Sequence, residues 1–221
     1  MVTVATSSTV DRRALAHAFA EALSYPYVAP VTAARECAEV AAVGSRDAGA
    51  LLDEFAALVE TTSLGTLQEA YTRTFDLDTM SRSEPTCYPY VGHYLFDESH
   101  KRGAFILGLK RRFRKAGFVD ESDLPDHLVV LLRFLAVCDD EELADELVDD
   151  AILPALERMD LLTKSSRDGS VPARDAYLGV LAALRLALAV GRPERIDAEA
   201  DETQREWARD KDSLGIERDR C

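Results

Sequence analysis

Long uninterrupted apolar runs are missing from this 221-residue chain. None approaches the roughly 20 residues needed to cross a bilayer, so an integral membrane protein is not expected. A positive charge balance is missing too. Asp and Glu number 40 against 26 Lys and Arg, a formal net charge of -14. That argues against non-specific binding to nucleic acid or anionic membranes, which both need a positive surface. Cysteine is sparse: Cys37, Cys87, Cys138 and Cys221 are scattered without a CxxC pair, a pattern of reduced thiols. The chain has no GxxxxGK[ST] and no glycine fingerprint of a nucleotide-binding turn. It also has no GxSxG and no catalytic cysteine signature. Almost no sustained period-2 alternation occurs, and no internal repeat is read. The first residues lack the basic start and continuous apolar core of a signal peptide, so a cytoplasmic location is expected.

What is present is helical periodicity. Nearly half the residues are apolar, enough for one domain with a proper core. Asp11 or Thr9 caps a first helix to about Ser24, with Leu15, Ala18, Phe19, Ala22 and Leu23 on one face. Further helices follow over 32–43, 47–61 and 63–75, the last carrying Leu64, Leu67, Tyr71 and Phe75. The stretch 84–118 organises the rest. Tyr88, Pro89, Tyr90, Gly92, His93, Tyr94 and Phe96 follow Pro85, and two prolines and a glycine there predict an irregular aromatic loop. A helix capped by Asp97 or Ser99 is expected next, with Ile106, Leu109, Phe113 and Ala116 inward and Gly117 as its stop. A strongly apolar helix begins near Asp126-His127 with Leu128, Leu131, Leu132, Leu135 and Cys138, widened by Val130, Phe134 and Val137. Asp139 to Asp150 holds eight acids and no base, and its helix continues to about Leu162 with Pro154 kinking or splitting it. Pro172 starts the last helix, ended by Gly191 and Pro193. The expected class is all-α with about eight helices: a flexible 1–8, a helical domain over 9–192, and a charged, flexible tail over 193–221.

Candidate chemistry is thin. Cys87, His93, His100 and His127 are the nearest thing to a metal set, but Cys-x5-His-x6-His fits no zinc spacing. The acidic run reads as a solvated helix face or as a lure for an arginine-rich peptide. The cluster Lys110, Arg111, Arg112, Arg114 and Lys115 reads as a solvated or salt-bridged face, or as a nucleic-acid contact that the overall negative charge disfavours. Asp126 after Pro125 is a natural cap, while His127 beside it is either structural or a titratable anchor in an apolar groove.

Four segments carry a resemblance: LQEAYTRTFDL (67–77), YPYVGHYLFDESHKRG (88–103), the RFRKAGF helix end, and LPDHLVVLLRFLA (124–136). Together they resemble the NarJ/TorD family, closest to its NarJ branch of nitrate-reductase delta chaperones and their relatives serving selenate-, chlorate- or perchlorate-type reductases. The resemblance spans about residues 10–190. It implies an all-helical redox enzyme maturation protein without catalytic activity. Such a protein binds the N-terminal segment of the apo catalytic subunit of a dimethyl-sulfoxide-reductase-superfamily molybdoenzyme. It supports insertion of the molybdenum bis-guanine-dinucleotide cofactor, holds no cofactor permanently, and acts as a monomer or weak dimer in anaerobic respiration or nitrate assimilation. Asp126 and His127 match the family's Asp-His hinge. Tyr71, Phe75, Tyr88, Tyr90, His93 and Phe96 fall where a peptide groove would be lined. The string Leu124-Pro125-Asp126-His127 departs from the TorD pattern and favours the NarJ branch. A helical adaptor for another partner, and a metal-dependent hydrolase on His93, His100 and His127, are the rival readings.

Overall fold

The computed structural model describes residues 11–75, 87–96, 99–163 and 172–192. Among these the chain forms ten α-helices and one π-helical turn, with no named strand. They are α1 (Arg12–Ala22), α2 (Val31–Gly44), α3 (Arg46–Thr61), α4 (Leu64–Phe75), α5 (Val91–Leu95), α6 (Ser99–Lys115), α7 (Leu128–Val137), α8 (Glu141–Leu147), α9 (Leu153–Thr163) and α10 (Pro172–Leu188). The all-α expectation holds, and the helices are more numerous than eight. No described helix is long and apolar enough to cross a membrane. The expected ends 1–8 and 193–221 lie outside the described residues, as does the cap expected at Asp97.

Local chemistry sets the helix ends. The Asp11 carboxylate accepts the Arg13 N–H at the start of α1, and Ser45 does the same for Ala48 at the start of α3. Each satisfies a donor that the first turn leaves open. α6 ends in a Schellman motif. Gly117 takes φ 69°, Phe118 N–H donates to the Phe113 carbonyl at 2.9 Å, and the two rings meet at 5.1 Å.

α2 and α3 form an antiparallel hairpin, and α3 packs on α10, α10 on α4 and α9, and α1 on α7. The approach of α2 to α3 is close enough that a Cβ on Gly49 would stand 2.7 Å from that of Ala42. α7 is buried along most of its length, as its all-round apolarity predicts; Leu131, Leu132 and Leu135 are fully enclosed, whereas Val137 is exposed.

Two expectations are corrected and a third is refined. In α6 the buried stripe is Phe105, Leu109 and Phe113, with Ile106 half-buried and Ala116 exposed. The aromatic loop contains a helical turn, α5, that includes Gly92. Gly92 is there for proximity rather than to break structure: a Cβ on it would lie 2.7 Å from Asp126 Oδ2. The helical run is divided before Pro154, but by a π-helical turn between α8 and α9 rather than by a gap. Having no N–H to give, Pro154 follows that turn over Val148–Ile152, closed by Leu153 N–H on the Val148 carbonyl.

The acidic run is tied to both ends of the described chain. Arg12 reaches Glu141 at 2.8 Å and Arg13 reaches Asp139 at 2.7 Å. Arg192, just past α10, reaches Asp145 at 2.7 Å and also pairs with Asp149. Arg112 of the basic cluster adds Glu146 at 3.5 Å. Neither a purely solvated face nor a free lure describes this surface, because its carboxylates answer arginines from α1, α6 and the end of α10.

Candidate binding cleft

A cleft of about 640 Å³ opens between the α1–α2 connection, α4, the aromatic loop and the start of α7. Tyr71 and Phe75 line it from α4, and Tyr25, Pro26, Tyr27 and Val28 from the α1–α2 connection; Pro89, Tyr90, His127 and Val129 complete the apolar lining. A ladder of rings runs inward from this cleft. Tyr27, 81% exposed, meets Tyr25 at 4.9 Å, Tyr25 meets Tyr71 at 5.4 Å, and Tyr71 meets the fully buried Tyr177 at 5.5 Å. The contacts are edge-to-face, the arrangement ring quadrupoles prefer. α4 holds the α1–α2 connection in place: Tyr71 O–H donates to the Leu23 carbonyl at 3.1 Å, and Gln68 Nε2 donates to the Pro26 carbonyl at 3.0 Å.

The opposite side is built around Asp126-His127. Tyr90 and His127 form an isolated antiparallel bridge. Val91 N–H donates to the Asp126 carbonyl, and Leu128 N–H to the Pro89 carbonyl, each at 2.8 Å. His127 is the cap of α7, its Nδ1 accepting the Val129 N–H at 3.2 Å. A ring nitrogen that accepts carries no proton, so the ring here is neutral with its proton on Nε2. Burial depresses the imidazole pKa below its ordinary value, against the pull of Asp123 and Asp126. Tyr90 stands edge-on to that ring at 5.3 Å and donates its O–H to Asp123 at 3.1 Å. Burial, then the Asp123 charge, pushes the Tyr90 phenol up to about 12.

Asp126 does not cap the helix, contrary to the simplest reading of Pro125-Asp126. Its side chain is fully enclosed and takes Arg102 Nε at 2.7 Å and Nη2 at 3.4 Å. The buried carboxylate needs that cation, and the imidazole one residue later serves the open N–H.

Of the residues expected to line a groove, the cleft brings together Tyr71, Phe75, Tyr90 and His127. Tyr88 stacks on His93 at 4.4 Å, Phe96 packs on Phe105 at 5.4 Å, and Asp126 faces Arg102; none of these four lines it. Sequence reading missed Glu21, Tyr25, Tyr27, Val28, Asp123 and Arg133. One signal was available. Tyr25-Pro26-Tyr27-Val28 and Tyr88-Pro89-Tyr90-Val91 are the same tetrapeptide, too short to register as a repeat, and both contribute to this cleft.

The cleft's charges are uneven. Arg133 is engaged by Asp120 at 3.2 Å and by the hydroxyls of Ser122 and Ser24, each at 3.1 Å. Burial raises the Asp120 pKa, but bonds from Ser122 and Arg133 outweigh it and hold the carboxyl below its usual range. With Arg133 so matched, Glu21 and Asp123 leave the lining acidic. Among the described residues no group of three or more His, Cys, Asp or Glu is placed to hold a metal ion. Cys87 is instead buried against the Tyr94 hydroxyl at 3.4 Å, its thiol pushed up to about 11 by burial.

Comparison with known proteins bears on this architecture. No curated protein matches the chain. A crystal structure from Archaeoglobus fulgidus, assigned provisionally as a redox enzyme maturation protein, shares the fold. The TM-score is 0.51 at 24% identity, over 79% of this chain and 91% of that one. The sequence profile of the nitrate reductase delta subunit family matches residues 42–164. That span runs from the end of α2 past α9 and includes α4, the aromatic loop and Asp126-His127. More than half of the sequence thus carries the family's pattern, and the chain belongs to the nitrate reductase delta subunit family.

Proposed function

We propose that this protein is a maturation chaperone that receives the N-terminal segment of an apo molybdoenzyme catalytic subunit in the tyrosine-lined cleft. It holds that subunit while the molybdenum bis-guanine-dinucleotide cofactor is inserted, then releases it. The observation that carries the reading is the cleft: concave, lined by tyrosines, prolines and valines among polar groups, and edged by Glu21 and Asp123. Its volume falls within the roughly 300–1,000 Å³ of small binding sites. An amphipathic helix fits such a surface by laying apolar side chains into the groove, with a basic residue toward the carboxylates. Family membership supports the class of client, and the tyrosines supply large contact area at small conformational cost. In this reading the chain works by binding and shielding and performs no chemistry of its own.

The test is capture. The tagged full-length protein is purified from its own host grown anaerobically with molybdate, in a strain blocked in cofactor synthesis so that apo-enzyme accumulates. Recovery of a large molybdoenzyme subunit, lost when its first few dozen residues are deleted, is the expected result. Recovery of no such subunit from that strain overturns the proposal in favour of an adaptor for some other partner.

A further inference from the structure

We propose that Arg102 is the positioning residue of the cleft's Tyr90–His127 side, acting from outside the cleft through Asp126. The inference rests on the peptide-cleft reading only for its consequence in binding. Arg102 sits in the first turns of α6 and is not part of the cleft lining. Its guanidinium nevertheless engages two groups that fix that lining. It grips the fully buried Asp126 carboxylate through Nε and Nη2, and it lies over the Tyr90 ring, 5.0 Å from the centroid. The Asp126 carbonyl takes the Val91 N–H, and the next residue, His127, caps α7 and meets the Tyr90 ring. Fixing Asp126 therefore fixes the bridge that presents both cleft-facing rings.

The space is made for this contact. A Cβ on Gly92 would stand 2.7 Å from Asp126 Oδ2 and 3.0 Å from Arg102 Cγ. The glycine lets α5 pass directly beside the ion pair. A planar fork suits a task that needs two bonds and a stacked face at once. Lysine would keep the charge but lose the second bond and the flat stacking surface. A buried ion pair does little for stability compared with well-packed apolar groups. That leaves orientation as the gain, and it separates positioning from mere structure.

The test uses full-length protein in three forms: wild type, Arg102→Lys, and the paired Arg102→Leu/Asp126→Leu. The readouts are thermal melting, the ¹⁵N signals of the His127 ring, the Tyr90 ring proton shifts, and recovery of the subunit in the capture experiment. Tyr177, whose ring packs on Phe55, Tyr71 and Phe75, serves as the reference signal. The expected result is that the Leu/Leu pair melts close to wild type while Tyr90 and His127 signals shift and Tyr177 signals stay. Arg102→Lys should shift the same two residues. In both variants recovery of the subunit should fall at least several-fold. The proposal is overturned if Tyr90 and His127 signals coincide with wild type in both variants. It is equally overturned if they move only alongside Tyr177 and a lowered melting point, or if the two rings move while recovery is unchanged. Should the capture reading itself fail, wild type recovers nothing, and the ring signals still decide whether Arg102 positions the bridge.

Discussion

At the scale of single residues, His127 makes the protein's stability depend on pH in a predictable direction. Its folded-state pKa lies below the ordinary value of 6.5. As pH falls below about 6.5 the unfolded chain takes up the proton first. The stabilisation is therefore complete above that value, is lost as pH falls toward the folded-state pKa, and levels off beneath it. His93 is also depressed, by burial and then by Arg102, and adds a loss of the same sign. Asn accepts the cap bond without titrating, so His127→Asn should keep the unfolding free energy from urea titration at pH 7.5 within about 1 kcal/mol of wild type and flatten its decline below pH 6.5. A decline as steep as wild type would remove His127 from the account. Gly92→Ala tests the close approach to Asp126. The added methyl must displace a carboxylate or the Arg102 stem, and overpacking of this kind costs about 1–3 kcal/mol in urea unfolding.

At the scale of elements, the helices were readable because amphipathic stripes repeat with the helical period. Leu15 and Phe19 in α1 with Leu23 at its C-cap, and Leu67 and Phe75 in α4, all turn inward as that period requires. α6 was misread because Phe105-Ile106-Leu107 offers more than one stripe that ends on Leu109 and Phe113, and only packing decides between them. Phe105→Ala should cost about 3–5 kcal/mol by denaturant unfolding, and Ile106→Ala clearly less. The reverse order would restore the face first expected. α5 was illegible for another reason: a glycine reads as a breaker unless the carboxylate that needs its bare Cα is known, and Asp126 lies 34 positions further along. Half of the expected groove residues, Tyr71, Phe75, Tyr90 and His127, line the candidate cleft. The α1–α2 connection was not legible, since nothing local to Tyr25-Pro26-Tyr27-Val28 says that α4 will hold it beside the aromatic loop.

At the scale of the whole molecule, charge is the dominant feature. A net charge of -14 makes the compact state repel itself, while Arg12, Arg13 and Arg192 offset part of the repulsion on the acidic run. Most of these pairs are exposed on at least the carboxylate side, and exposed pairs contribute roughly 0–1 kcal/mol each. Net repulsion should therefore outweigh them. The melting temperature should rise as salt increases from about 20 to 300 mM, over which the screening length falls from about 20 Å to about 6 Å. A falling melting temperature would mean that the arginine ties matter more than the excess charge. Arg192→Ala should lower the melting point by only a few degrees at low salt and by less at high salt.

The ring ladder has an optical consequence. Tyr25, Tyr27, Tyr71, Tyr90 and Tyr177 are five of the seven tyrosines in the chain, and all stand in or directly behind one cleft. Most of the tyrosine absorption near 275 nm, as distinct from that of the chain's single tryptophan, Trp207, is thus gathered around the place where a partner would sit. A visiting segment that carries a tryptophan would collect that excitation and emit it at longer wavelength, so the cleft comes with its own antenna and occupancy can be read without attaching a dye.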